Sequence, residues 1–226
     1  MPLALRPAIP LARDALLVGD PGRALMLAQE LLDQPKMSNH ARGLWGYTGS
    51  TPAGSALTVQ ATGMGGPSAA VVLNDLFELG VRRVIRVGTG AALRPGLALG
   101  DLLVVTEAHG EGAPPALPGA EAARPDPGLL GGLEGAGRTA TARSGDLPSA
   151  LLRRLGAAPS PGGDVHDLQT AVLLAAAHAL GIAAAALLIV AEDASGARIA
   201  DEPLTEAAKT AGRTAADALS KAEVES

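Results

Sequence analysis

The stretch from Arg82 to Val105, RRVIRVGTGAALRPGLALGDLLVV, constrains this chain more than any other. Its two apolar runs, VIRV and DLLVV, read as strands, because short valine-rich runs suit strands covered on both faces. Between them, Gly88-Thr89-Gly90-Ala91 reads as a turn where backbone approaches a ligand closely, since glycine puts no Cβ in the way. Arg86 breaks the apolar pattern two residues before that turn. A buried guanidinium is costly unless an anion meets it. Two readings stay open. Arg86, the Thr89 hydroxyl and free backbone N–H groups form an oxyanion cradle, or Arg86 sits at a strand end and meets solvent or a carboxylate.

Two strand, glycine loop and helix units precede this stretch. Ala15 to Val18 is a short apolar strand, followed by Gly19-Asp20-Pro21-Gly22-Arg23 and the run ALMLAQELLDQ. Asp before Pro is an N-cap and a first-turn proline, so a helix starts there and offers its N-terminus to anions. Arg23 lies in that first turn, where the helix dipole disfavours a cation. It either answers an anion or is an ordinary surface arginine. Arg42 to Gly49 reads as a turn and an edge strand, and Leu57 to Thr62 as the next strand. The loop from Gly63 to Ser68 then leads into an amphipathic helix that Gly80 ends.

Residues 109 to 137 are rich in Gly, Pro and Ala and read as a surface excursion. Arg138 to Arg143 reads as an outer strand, Leu147 to Leu155 as a short helix, Leu168 to Leu180 as a helix and Ala184 to Ala191 as a strand. Glu192 and Asp193 lie just past that last strand, where α/β proteins place ligands. Pro203 to Glu223 closes the chain as a helix. Alternating strands and helices predict an α/β fold: a single domain spanning residues 1–226, with a central mixed sheet flanked by helices.

Composition narrows the function. A net charge of −5 leaves no general basic footprint for nucleic acid. The absence of cysteine removes disulfides and thiolate chemistry. The first residues, MPLALRPAIPLARD, have no long apolar core, so a cytoplasmic protein is expected. Ala171 to Ala191 is uncharged, but Gly181 divides it into a helix-length and a strand-length half, and no membrane association is expected. His40, His109, His166 and His178 lack metal-ligand spacing, so no metal site is expected. Gly88-Thr89-Gly90 begins a dinucleotide fingerprint, but RPGLALGD cannot form the helix that a pyrophosphate needs.

Taken in order, GDPGRA, ARGLWGYTG, TGMGGPS and RVIRVGTGAALRPGLALGD resemble the nucleoside phosphorylase family, which includes uridine phosphorylase and hexameric purine nucleoside phosphorylase. The uridine branch is the closer in wording. The resemblance implies phosphorolysis of a nucleoside to a free base and a pentose 1-phosphate, with inorganic phosphate as co-substrate and no cofactor. It implies that Gly19, Arg23, Arg86 and Thr89 bind phosphate. Arg42 would reach the phosphate of a neighbouring subunit, so a homo-oligomer is expected, with a dimer as minimal unit and a hexamer as an alternative. The pair Leu168-Gln169 stands where the family has Met-Glu on the ribose. Glu192, with Asp193 beside it, stands where the purine branch protonates the base. With Arg86, these two make up the expected catalytic set. A hydrolytic nucleosidase, and a non-catalytic phosphate or ribose-phosphate binder, are the competing expectations.

Overall fold

The structure, a computed structural model, describes residues 1–111 and 117–224. In chain order the elements are β1 (Asp14–Val18), α1 (Pro21–Leu31), β2 (Asp33–Asn39), β3 (Gly46–Ser50), β4 (Ala56–Ala61) and α2 (Gly65–Glu78). Then come β5 (Arg83–Ala92), β6 (Leu102–Gly110), α3 (Pro127–Gly132), β7 (Arg138–Ser144) and α4 (Ser149–Arg154). β8 (Val165–Asp167), α5 (Thr170–Leu180), β9 (Ala183–Glu192) and α6 (Asp201–Val224) complete the chain. The strands form one mixed sheet in the order β2-β3-β4-β1-β5-β8-β7-β6-β9, and β9 pairs back onto β5. The strands from β5 to β9 therefore close on themselves, and β4, β1 and β5 run parallel beside that closed part. The expected α/β architecture with a mixed central sheet is what the chain adopts.

Helices cover both faces. α2 and α5 pack on one, through Val72, Leu73, Leu76, Leu173 and Leu174. α1, α3 and α6 pack on the other, through Leu27, Leu31, Leu129, Ala215 and Leu219. The local signals place several boundaries. Asp20 caps α1 by accepting from the Arg23 backbone N–H at 2.8 Å. Gly181 closes α5 with φ of +70°, a left-handed turn that costs glycine little, and so separates α5 from β9.

Four expectations change. First, Gly88 to Ala91 is not a turn: β5 runs unbroken to Ala92, with Gly88 opposite Leu188 and Gly90 opposite Val190 on β9. The glycines serve close packing inside the sheet. A Cβ on Gly88 would lie 2.6 Å from Arg86 Nη2 and 2.8 Å from Leu188 Cδ2. One on Gly90 would strike Val165 Cγ2 and lie 2.9 Å from the His166 carbonyl oxygen. Second, β3 is not an edge strand, because the polar β2 pairs outside it. Third, β7 is not an outer strand, because it is held between β6 and β8. Fourth, the expected excursion over residues 109 to 137 begins as the end of β6 and contains α3, with residues 112–116 outside the described part.

Gly90→Ala should destabilise the fold by about 1–3 kcal/mol through overpacking against β8. Urea unfolding would measure it, and a change below about 0.5 kcal/mol would mean that β8 yields freely.

Candidate active site

The carboxyl ends of β1, β4 and β5 open into one cleft, the position where parallel α/β sheets bind ligands. It has two lobes. The narrower, about 420 Å³, is lined by residues that include Gly19, Arg23, Gly63, Arg86, Thr89 and Gln169. The wider, about 550 Å³, includes Ser149, His166, Asp167, Ala191, Glu192 and Arg198. Met64, Thr89 and Leu168 belong to both lobes and form the neck between them. A separate hollow of about 500 Å³ beside α5 has an alanine-rich wall, and its Asp126 is used in capping α3.

Residues at the N-terminal ends of α1, α2 and α5 line the narrow lobe. Helix N-termini carry partial positive charge and unpaired N–H groups. α2 starts after Met64, which offers no capping side chain, so its first amides lack a side-chain acceptor. Arg23 adds a guanidinium that makes no hydrogen bond among the described residues. Burial pulls the Arg23 pKa below its ordinary value, Asp20 counters that, and the nearby charge of Arg86 lowers it further. Two guanidiniums thus face one small space, which the Asp20 carboxylate also lines. The Thr89 hydroxyl at its rim also has no partner among the described residues. Free guanidinium N–H groups and helix N-termini are the chemistry that an anion pairs with.

Arg86 is 4% exposed and fully engaged on one side. It donates to Asp167 Oδ2 at 3.0 Å, Gln169 Oε1 at 2.6 Å and Thr170 Oγ1 at 3.2 Å. Of the two readings of this residue from sequence, the carboxylate partner is present, and Arg86 also lines the narrow lobe. Each terminal guanidinium nitrogen carries two hydrogens, so one on each is left after these bonds. Asp167 is the organiser. Besides Arg86, it accepts from Ser144 Oγ, Thr170 Oγ1 and the backbone N–H groups of Gln169 and Thr170. Sequence reasoning passed over Asp167, although an Asp just before an apolar helix is an N-cap signal.

The structure brings Gly19, Arg23, Arg86, Thr89, Leu168 and Gln169 together around the narrow lobe. Gln169 is 2% exposed and committed at both ends. Its Oε1 accepts from Arg86 and Thr62, and its Nε2 donates to the carbonyls of Gly63 at 2.8 Å and Gly65 at 3.1 Å. It ties Arg86 to the loop between β4 and α2. Glu192 ends β9, lines the wider lobe and accepts from Arg153 Nη2 at 2.6 Å. Asp193 does not join them. Its carboxylate accepts from the Ser195 hydroxyl and from the Ser195 and Ala197 amides, and these bonds hold its pKa below the ordinary carboxylate value. Arg42 is exposed on a 3-10 turn, with φ of +57°, and lines neither lobe.

The chain matches the family described as "Phosphorylase superfamily" over residues 13–225. It is similar to a DeoD-type purine nucleoside phosphorylase of Clostridium perfringens, with 39% identity over 104 residues, covering 46% of this chain and 44% of that protein. A protein of the same description from Oceanobacillus iheyensis is 41% identical over 95 residues, covering 42% of this chain and 40% of that protein. The chain thus spans under half the length of these curated relatives in the matched stretches. Among solved structures, a purine nucleoside phosphorylase from Toxoplasma gondii, in complex with immucillin-H, shares the fold with a TM-score of 0.78 and 21% identity, covering 94% of this chain and 92% of that one. The uridine branch is not distinguished by these relatives.

Removing the Asp167 carboxylate would leave Arg86 buried without a counter-charge. Asp167→Ala should therefore cost about 3–5 kcal/mol of stability. Urea unfolding without added anions tests this, and a loss under about 1 kcal/mol would show that Arg86 is not held by Asp167.

Proposed function

Because the chain belongs to the phosphorylase superfamily, we propose that it cleaves a purine nucleoside by phosphorolysis, giving the free base and a pentose 1-phosphate. The observation that carries the reading is the narrow lobe, with Arg23 and Arg86 beside one another, joined by a neck to a wider lobe that ends at a carboxylate. Purine is preferred to uridine because the similar proteins carry the purine name and because Glu192 supplies a carboxylate acceptor in the wider lobe.

In this reading phosphate occupies the narrow lobe. Arg23, the remaining N–H groups of Arg86, the Thr89 hydroxyl and the first amides of α2 hold its oxygens. Charge-assisted bonds from several directions fix its orientation as well as its affinity. The sugar lies across the neck against Met64 and Leu168. As the glycosidic bond breaks, its electron pair leaves with the base and C1′ becomes cationic. The phosphate oxygens beneath C1′ offset that charge and then form the new C–O bond. The base leaves into the wider lobe, where the Glu192 carboxylate, paired with Arg153, accepts a hydrogen bond from its N–H edge while a proton from solvent neutralises the departing base. Asp193 stays with its turn and takes no part. Gln169 acts on the ribose only indirectly, by fixing Arg86.

The exposed Arg42 acts, in the same reading, across a contact between two copies of the chain, so the working unit is a homo-oligomer of at least two subunits. No cofactor is needed, because the charges that develop are met by the phosphate and by a proton from solvent.

Incubation of inosine and adenosine with and without phosphate tests the reaction. Base release only with phosphate is expected; equal release without it would make the protein a hydrolase, and phosphate binding without turnover would remove the catalytic reading. Arg23→Ala should weaken phosphate binding by at least about tenfold in calorimetric titration, the scale of one lost charged contact. An unchanged affinity would place the anion elsewhere.

A further inference from the structure

Three residues from distant parts of the chain meet beside the wider lobe: Ser149 at the start of α4, His166 in β8 and Glu111 just after β6. Ser149 and His166 both line the lobe, at 5% and 2% exposure. Ser149 Oγ lies 2.9 Å from His166 Nδ1. His166 Nε2 faces Glu111 Oε2 at 3.9 Å, and no hydrogen bond reaches it among the described residues. Glu111 Oε1 is likewise buried and has no hydrogen-bond partner among the described residues, while Oε2 accepts from the Ser160 amide at 3.2 Å. Buried polar atoms without partners are uncommon and call for a reason. Nothing in the phosphate chemistry above uses them.

We propose that this Ser149–His166–Glu111 row reads the polarity of the base edge and makes the site favour a 6-aminopurine nucleoside over a 6-oxopurine one. The proposal deepens the phosphorolytic reading and rests on it for the placement of the base. Neutral imidazole has one N–H donor and one acceptor nitrogen. The Glu111 carboxylate facing Nε2 draws the proton to that nitrogen. Nδ1 is then the acceptor, and the Ser149 hydroxyl must donate to it. With its one hydrogen committed, Ser149 Oγ can only accept from a ligand in the lobe. An exocyclic amine satisfies it, whereas an exocyclic carbonyl would set two oxygen lone pairs against each other. The neutral state that this requires is favoured by the packing: burial holds the His166 pKa below its ordinary value, although Glu111, Asp167 and Glu192 each pull it upward. Gly145 keeps the row close. A Cβ there would lie 2.8 Å from His166 Nε2 and 3.4 Å from Glu111 Oε2.

Ser149 would contact the base directly, so it is a specificity residue. His166 and Glu111 act through it and are positioning residues. The test compares kcat/KM for adenosine and inosine, with saturating phosphate, in the parent protein and in Ser149→Ala and Glu111→Gln. The parent should favour adenosine. Ser149→Ala should lower the adenosine-to-inosine ratio by roughly tenfold, the scale of one hydrogen bond exchanged for a repulsion. Glu111→Gln keeps the volume but removes the charge that fixes the tautomer, so it should move the ratio the same way by a smaller factor. A purely structural role would lower both substrates together and leave the ratio unchanged. A parent that favours inosine, or an unchanged ratio in both variants, overturns the proposal. A parent with no turnover of either nucleoside overturns the phosphorolytic reading instead. Calorimetric titration with free adenine and free hypoxanthine then still decides this one: tighter adenine binding that Ser149→Ala abolishes supports it, and equal binding of the two bases overturns it.

Discussion

The pairing of Arg86 with Asp167 is the interaction on which the rest of the cleft depends. A guanidinium placed in a central strand, 4% exposed, is tolerable only with a counter-charge and a full set of acceptors. Asp167 provides the charge, and Gln169 and Thr170 provide the other acceptors. The same aspartate accepts from the first amides of α5, so one carboxylate sets the direction of a helix and the position of an arginine together. Gln169 extends the network to the carbonyls of Gly63 and Gly65. The wall of the narrow lobe is thus assembled from β4, β5, β8 and α5 as one hydrogen-bonded unit.

That unit explains the division of the cleft. The narrow lobe brings two guanidiniums and helix N-termini together, with Asp20 also on its lining. Asp167 lies on the far side of Arg86, and the Asp20 carboxylate is engaged as a helix cap. The wider lobe holds Glu192 and His166. In the proposed reaction the two lobes, with an apolar neck at Met64 and Leu168, keep the nucleophilic anion apart from the leaving base.

Much of this was legible in the sequence, for identifiable reasons. The helix starts after β1 and β4 follow from Asp-Pro and glycine-loop signals that act locally. The oddness of Arg86 is visible because a charge in a valine run violates an otherwise uniform pattern. Legibility failed where long-range pairing decides. Gly88 and Gly90 look like a turn, yet they are strand residues kept small by Leu188 and Val165, which lie far along the chain. β8 is too short for any periodicity to show, and β2 carries the polar residues of an edge. The closing of β5 through β9 into a ring turns the expected outer strand β7 into an inner one. Gln169 looks like a ribose contact from its place in the motif, but only the folded chain shows that both ends of its amide are taken. The Ser149, His166 and Glu111 row has no sequence signature at all, because its members come from separate elements.

The proposed chemistry depends on one anion being held jointly by Arg23 and Arg86 in the narrow lobe. The most direct measurement is a crystal soaked in a heavy tetrahedral oxyanion such as tungstate, read by anomalous scattering. The predicted result is one strong peak within hydrogen-bonding reach of both guanidiniums and of the Thr89 hydroxyl, with Asp167 still bonded to Arg86. A lobe without a peak, or a peak held by surface arginines away from the cleft, would contradict it.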